Sequence, residues 1–207
     1  MIVIIIMRLF KSGTVNAVVS ALFVLTLLGS SCDSYTPYPR KMGFPRIDFP
    51  GEKTYESFQN ETCPFTFQYP SDGVITRNLP DSCWVDINYP AYDCKWHISY
   101  RNVGKSGKNR NVHYEEYRKL IYNHTIKASQ IKESPIEVPA GRGVLFEVYG
   151  NVGTPAQVFL YDSTENHIMM MSFYFQTALK NDSLAPVIDY MKGEVRNMLD
   201  SFSWEKE

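Results

Sequence analysis

The residues that follow Cys63 alternate between apolar and polar side chains with a period of two. Three such runs follow one another: Phe65, Phe67 and Tyr69; Val85, Ile87 and Tyr89; Trp96, Ile98 and Tyr100. Successive side chains of a strand point to opposite faces of a sheet, so the pattern predicts three strands with one buried face each. Residues 104–111 are polar and basic and contain glycine, which predicts a loop after the third strand.

The periodicity then changes from two to that of a helix and back again. Helical spacing over residues 112–129 is set by Tyr117, Leu120, Ile121, His124 and Ala128, with Ile131 just beyond. This spacing predicts a mid-chain helix. Further on, apolar positions alternate around residues 144–148, 158–160 and 167–176, with turn residues at 150–151 and 162–166. These runs predict an antiparallel meander of three strands.

The last predicted helix has the most regular pattern. Ser183 can cap its N-terminus, and Pro186 fits its first turn. Its apolar stripe consists of Leu184, Val187, Ile188, Met191, Val195, Met198, Leu199 and Phe202. The sequence therefore predicts a single α+β domain, a twisted antiparallel sheet with the mid-chain and C-terminal helices packed on it. The order of elements is similar to the Mog1/PsbP-like fold, an analogy that concerns the fold and not the activity.

The N-terminal part of the chain has the order of a secretory signal. Arg8 and Lys11 precede an apolar, uncharged run over residues 15–28, and the small residues 29–31 precede Cys32. The apolar run is shorter than the roughly 20 residues that a spanning helix needs. A cysteine at this point predicts a bacterial lipoprotein, with residues 1–31 removed as the signal peptide and a lipid on Cys32. Met7 is an alternative start, and an uncleaved anchor or a soluble secreted protein are the alternative interpretations.

Residues 32–58 form a separate segment between Cys32 and the domain at 59–207. Its prolines at 37, 39, 45 and 50 favour an extended backbone. Aromatic and arginine side chains are the types that most often anchor interfaces. We therefore hypothesise a partner-docking segment whose anchors are Tyr35, Tyr38, Arg40, Phe44, Arg46 and Phe49. The alternative is a strap that covers an edge of its own domain.

Three cysteines remain once Cys32 carries the lipid. Cys63 and Cys83 occur in similar contexts, CPFTFQYP and CWVDINYP. If the two strands begin side by side, their sulfur atoms can meet in a disulfide, which is plausible outside the cytoplasm. A disulfide that closes this loop of about 20 residues would stabilise the fold by about 3 kcal/mol in the chain-entropy model. Cys94 is left as a free thiol, and we interpret it as buried.

Charge and motifs disfavour several functional classes. The whole chain has a formal net charge of −1, and removal of Arg8 and Lys11 with the signal leaves −3. This balance argues against a nucleic-acid partner. The sequence matches none of the common hydrolase, nucleotide-binding or metalloprotease motifs. We expect no cofactor and no metal, and we interpret His97, His113, His124 and His167 as structural or surface residues.

Several motifs resemble one known family. The stretches YTPYPR at 35–40 and FPRIDFP at 44–50 resemble the Y-x-P-x-P-R and F-R-I-x-F-P pattern of the gliding-motility lipoprotein GldD family of Bacteroidota. CPFTFQYP at 63–70, HISY at 97–100, DSLAPV at 182–187 and FSW at 202–204 continue the similarity in order. The resemblance implies a non-enzymatic lipoprotein required for gliding, associated with type IX secretion proteins and attached to the outer membrane.

Three functional hypotheses follow. The first is an assembly or stabilising lipoprotein that acts through Cys32, the segment 35–50 and a face of the domain. The second is a periplasmic ligand-binding lipoprotein with an apolar pocket between sheet and helices, lined by residues 168–175. The third is a thiol enzyme, which would need Cys94 beside His97 or another base.

Overall fold

The computed structural model describes residues 17–23, 46–77, 83–176 and 181–205. The chain divides into two units, residues 1–42 and 43–207. In the first unit, residues 17–23 are helical, and Val18, Val19, Leu22 and Phe23 are exposed. No helix among the described residues combines the length and the apolar character needed to cross a bilayer.

The described residues of the second unit form two sheets and three helices. The strands are β1 (Tyr55–Phe58), β2 (Phe65–Pro70), β3 (Val74–Arg77), β4 (Trp84–Tyr89), β5 (Cys94–Asn102), β6 (Ala128–Val138), β7 (Gly141–Gly150), β8 (Ala156–Tyr161), β9 (His167–Phe175) and β10 (Ser203–Trp204). The helices are α1 (Val103–Ser106), α2 (Arg110–Tyr122) and α3 (Asn181–Ser201). Short 3₁₀ turns occupy Pro90–Tyr92 and Asn123–Ile126.

The larger sheet has seven strands in the order β3-β4-β5-β9-β8-β7-β6, and all neighbours are antiparallel. The smaller sheet has the order β1-β2-β10. This arrangement confirms the predicted α+β class, and the meander β7-β8-β9 is paired as expected.

The main core lies against one face of the large sheet, which we call the inner face. Alternate residues of β5 point to it, and Cys94, Trp96 and Ile98 are fully buried there. The small sheet and α3 complete this core through their aromatic and aliphatic side chains, among them Phe65, Phe67, Val187, Met191, Val195 and Met198. The apolar stripe predicted for the C-terminal helix therefore contributes to the main core.

A second, smaller core lies on the opposite, outer face of the large sheet. Tyr117 and Ile121 of α2 pack there on Phe146, Phe159 and Ile168 of β7, β8 and β9. Met169 and Met171 belong to the inner core, whereas Met170 packs with the outer one. The methionine run is therefore divided between the two faces, as the period of a strand requires.

Three boundaries differ from those predicted. The mid-chain helix was predicted over 112–129, but it begins at Arg110 and ends at Tyr122, since the chain then enters a 3₁₀ turn and β6. The predicted loop 104–111 contains α1, capped by the Asn102 side chain, which accepts a hydrogen bond from the Lys105 amide (3.0 Å). Helix α3 already includes Asn181, which places Ser183 and Pro186 inside it rather than at its cap and first turn.

Candidate functional site

The predicted lipidation site and most of the predicted docking residues lie outside the described residues. These are Cys32, Tyr35, Tyr38, Arg40 and Phe44. Arg46 and Phe49 are described. The lipid on Cys32 therefore stays a prediction, and the geometry below concerns the part of the segment that leads into the domain.

Phe49 contacts its own domain. Its ring stacks on Tyr190 of α3 with 4.5 Å between centroids, and it lies 5.6 Å from the ring of Tyr92. Ile47 also packs against the main core. This end of the segment, residues 47–54, therefore lies as a strap on its own domain. A strap of this kind was the alternative that the sequence left open.

Arg46 differs from Phe49 in its exposure. Its side chain is 91% exposed and pairs with Asp48, whose carboxylate is also exposed, at 3.4 Å. An exposed pair two residues apart contributes little to stability. Arg46 is therefore available to another molecule, whereas Phe49 is engaged within the domain.

A buried carboxylate fastens the strap to α3. Glu194 is fully buried, and its two oxygens accept hydrogen bonds from the Lys53 ammonium and from the Tyr55 hydroxyl (3.3 Å). Lys53 also lies over the Tyr190 ring, 4.7 Å from its centroid. The hydrogen bond to Glu194 raises the pKa of Lys53. Because an unpaired buried charge is costly, this pair specifies where the strap lies.

Sequence reasoning did not identify Glu194, although a signal was present. Residue 194 lies three positions after Met191 and four before Met198, so helical spacing puts it on the buried stripe. A carboxylate on such a stripe needs a partner. Lys53, in the aromatic segment, provides it.

The strap continues into the small sheet. Ser71 donates its amide hydrogen to the Thr54 carbonyl at 3.0 Å, and β1 pairs with β2 from Tyr55 opposite Pro70 to Phe58 opposite Phe67. The segment 32–58 thus ends in a strand of the domain.

Cys63 and Cys83 form a disulfide in the structure, with 5.3 Å between their Cα atoms. The prediction was that the two sulfur atoms can meet if the strands after these cysteines begin side by side. The strands do not pair with each other, because β2 belongs to the small sheet and β4 to the large one. The disulfide instead links the two sheets.

Cys94 does not have the environment of a nucleophile. It is fully buried on the inner face, and burial, with Asp93 and Asp72 adding, raises the pKa of its thiol to about 12. The reactive species is the thiolate, which is scarce at neutral pH under these conditions. His97, three residues further on, lies on the outer face, where its Nδ1 contacts Asp86 at 2.6 Å. Cys94 therefore does not lie beside His97, the base that the thiol-enzyme hypothesis named.

The described histidines have local partners. His113 Nε2 lies 2.8 Å from the Ser106 hydroxyl, and His167 Nδ1 lies 2.8 Å from the Tyr100 hydroxyl. The side chain of His124 is outside the described residues. Within the described ranges, no group of three or more His, Cys, Asp or Glu residues could hold a metal ion.

The predicted pocket between sheet and helices along residues 168–175 corresponds to a groove on one face of β9, but its lining is partly polar rather than apolar. On the inner face of β9, Met169, Met171 and Phe173 are buried in the packed core. A groove of about 500 Å³ lies on the other face of β9, beside Met170, Ser172 and Tyr174, and charged and polar residues complete its lining.

Comparisons with known proteins give a family match in sequence and several matches among solved structures. The family model described as gliding motility lipoprotein GldD matches residues 34–204. No curated protein matches the sequence. A crystal structure from Bacteroides thetaiotaomicron VPI-5482 has 14% identity and a TM-score of 0.41 over 73% of this chain. This chain covers 49% of that one, about half of its length. The solution structure of cyanobacterial PsbP (CyanoP) from Synechocystis sp. PCC 6803 has 11% identity and a TM-score of 0.43, covering 77% of this chain and 98% of its own.

Proposed function

The chain belongs to the gliding motility lipoprotein GldD family, and we propose that it is a non-enzymatic envelope lipoprotein that assembles or stabilises the type IX secretion and gliding machinery. The family supplies the connection to gliding and to a lipid anchor. The role in the secretion machinery and the absence of catalysis belong to the proposal. Burial of Cys94 and its separation from His97 support a role without thiol chemistry.

The observation that carries the proposal is the fastening of the strap to the domain. Phe49 on Tyr190 and Lys53 on Glu194 fix the point at which the segment from Cys32 reaches the fold. Between Cys32 and Phe49 the chain can span at most about 60 Å, at roughly 3.3–3.6 Å per residue. A lipid on Cys32 would therefore hold the domain within that distance of the bilayer, as suits a part that organises other membrane-bound components.

We propose that the docking residues are those of the segment that precede the strap. They are Tyr35, Tyr38, Arg40 and Phe44, with Arg46 beside them. Phe49 is withdrawn from this set because its ring packs on Tyr190 and Tyr92. The anchor is proposed to lie in the outer membrane, facing the periplasm, as the family resemblance implies.

The docking proposal is tested in gliding cells with the full-length lipoprotein. Replacement of Tyr35, Tyr38, Arg40 and Phe44 by Ser should abolish gliding and the recovery of type IX secretion proteins in affinity purification, at an unchanged level of the lipoprotein. The control replaces Arg142 and Glu137, an exposed pair on β7 and β6, by Ser. If cells with the segment variant glide normally and retain the same partners, the segment is only a spacer.

The lipid is tested separately by mass spectrometry of the protein purified from fractionated membranes. We expect a diacylated N-terminal peptide that begins at Cys32 and is recovered in the outer-membrane fraction. An intact residue 7–31 segment in the mature protein would contradict the anchor, and recovery in the inner membrane would contradict only its location.

A further inference from the structure

We propose that the groove between α2 and the outer face of β5 and β9 binds a small organic anion, through a carboxylate or phosphate group held by Arg101. The proposal does not depend on the docking role described above. It concerns a face of the domain opposite to the one that the strap covers, since the strap lies on α3 and the inner core.

The groove has a defined position in the fold. One wall is formed by α2, with the buried His113 and the exposed Glu116 and Leu120. The floor is formed by alternate residues of two neighbouring strands, and Lys108 and Ser106 lie at one end. Floor residues are His97, Ser99 and Arg101 of β5 and Met170, Ser172 and Tyr174 of β9. A volume of about 500 Å³ is in the range of small-ligand sites.

Buried hydrogen bonds make the floor rigid. The Tyr117 hydroxyl donates to the Met171 carbonyl at 2.8 Å and lies 3.1 Å from the Ser172 hydroxyl. Ser172 in turn donates to the side-chain oxygen of Gln157 at 3.3 Å. All three of these side chains are more than nine-tenths buried. A polar floor held in this way is pre-organised, which reduces the entropy lost when a ligand binds.

A second buried group orients His97. Asp86 is 4% exposed and lies 2.6 Å from His97 Nδ1, while Lys95 donates to its other oxygen at 2.7 Å. A carboxylate accepts a hydrogen bond, so its contact with Nδ1 places the ring proton on that nitrogen. Nε2 is then the nitrogen that remains for a ligand in the groove.

The charges of the groove leave one arginine without an ion pair, although, beside the hydrogen bond from Lys108, its charge also helps to lower the pKa of Glu116. Asp86 is paired with Lys95 and His97, and Glu116 is paired with Lys108. Arg101, by contrast, has no acidic side chain within ion-pair distance in the described part of the chain, and its side chain is exposed. The pKa of His113 is lowered mainly by burial, and the positive charge of Arg101 lowers it further. The charge of Arg101 therefore acts on the α2 wall of the groove. The forked guanidinium group matches carboxylate and phosphate oxygens.

The groove also offers apolar contacts beside the arginine. Leu120 is 61% exposed and Tyr174 is 37% exposed, and both line the groove with Met170. An anion with an apolar or aromatic part would bury these side chains while its charged group meets Arg101 and the Ser99 hydroxyl. This combination favours an organic anion over a bare inorganic one.

The test uses methionine-methyl NMR of the full-length lipoprotein in detergent micelles. Met170 lines the groove, whereas Met169 and Met171 lie in the inner core and report on any global change. Benzoate and phenyl phosphate are the carboxylate and phosphate probes, with benzyl alcohol as the neutral probe. We expect at least one anion to shift the Met170 signal with a millimolar dissociation constant, while the Met169 and Met171 signals stay in place.

Arginine variants decide whether the charge is responsible. Arg101→Gln should weaken binding of that anion about tenfold or more, and Arg142→Gln, a strand arginine paired with Glu137 far along the sheet order, should leave it unchanged. The response of benzoate against that of phenyl phosphate identifies which anionic group is preferred. The proposal is overturned if neither anion shifts Met170, if benzyl alcohol binds equally well, or if Arg101→Gln binds as tightly as the parent protein.

Discussion

The two faces of the large sheet are built from the same strands but carry different chemistry. Along β5, Cys94, Trp96 and Ile98 point inward and are fully buried, whereas Lys95, His97 and Ser99 point outward and remain partly exposed. The inner face is covered along the sheet by β1, β2, β10 and α3. In the part of the chain that the structure describes, the outer apolar cluster joins α2 to β7–β9.

Because of this difference, we expect the inner face to serve mainly stability and the outer face to serve recognition. Apolar burial contributes about 25 cal/mol per Å², so the larger, inner core stabilises the fold more than the outer core does. The outer face of β3–β5 carries charged and polar groups in partly buried hydrogen bonds, such as those of Asp86 with Lys95 and His97. Substitutions on alternate residues of one strand should therefore have opposite consequences, and this can be measured.

The largest effect is expected for Trp96→Ala. This side chain is fully buried and packs on Phe173 with 5.1 Å between ring centroids, so its removal should lower the free energy of unfolding by about 3–5 kcal/mol. Ser99→Ala, on the outer face of the same strand, should change it by less than about 0.5 kcal/mol. Urea unfolding of both variants checks this, and equal losses would show that the two faces are not distinct in energy.

Loss of the disulfide between Cys63 and Cys83 should have the next largest effect, because it ties the small sheet to the large one. The double variant Cys63→Ala/Cys83→Ala should be less stable by about 3 kcal/mol. Non-reducing peptide mapping of the parent protein should recover the 63–83 cross-linked peptide. A peptide that links Cys94 to either cysteine would contradict this arrangement.

Sequence patterns were sufficient for the strands that bury one face. The alternation at 65–69, 85–89 and 96–100 corresponds to β2, β4 and β5, and the stripe of the last helix corresponds to α3. The local sequence did not show which strands pair with each other. Nothing in the alternation of β2 shows that it pairs with β1 and β10 rather than with the large sheet.

The strand β6 was missed for a physical reason. It contains Pro135, which argues against a strand, and its Ala128 and Ile131 continue the helical spacing of α2. Because β6 lies at the edge of the sheet and pairs only with β7, proline is tolerated there. A bulge between Ala128 and Gln130, opposite Gly150 with its φ of 111°, further disturbs the period.

The sequence indicated the types of residue that form the candidate site, but not the contacts that they make. Aromatic residues among prolines indicated a segment able to bury side chains, and the one described anchor of this kind, Phe49, packs on Tyr190 of its own domain. A pocket along residues 168–175 was among the hypotheses, but its polar lining and Arg101 were not predicted, since the groove combines α2 with β5 and β9, two strands that are distant from each other in sequence.

A smaller loss of stability is expected when the ion pair between Lys53 and the buried Glu194 is broken. Lys53→Met leaves the buried carboxylate with only the Tyr55 hydroxyl at 3.3 Å. We expect a loss of about 1–2 kcal/mol, below the value for a fully buried pair because the Lys53 side chain is 38% exposed. Adding Glu194→Gln should recover part of it. If Lys53→Met costs no more than Arg142→Met, which breaks the exposed pair with Glu137, the pair does not fix the strap.

The smallest effect concerns Asp86 on the outer face and is measured as the change in stability with pH in acid. Burial alone would raise its pKa, but the hydrogen bonds from Lys95 and His97 outweigh burial and hold the pKa below its usual value. A carboxyl group whose pKa is lowered by folding stabilises the protein above its unfolded pKa of about 3.9, and this contribution is lost as the pH falls through the lower, folded value.

Asp86→Asn removes that titration, so the free energy of unfolding should fall less steeply below about pH 3.9 in the variant than in the parent protein. Asp162→Asn is the matched comparison, because hydrogen bonds from Thr164 and the His167 amide likewise outweigh burial and hold the pKa of Asp162 low, away from the groove. Its acid response should also flatten, but anion binding at Arg101 should be unaffected. An Asp86→Asn variant with the parent's acid slope would show that the carboxylate does not hold His97 and Lys95 on the outer face.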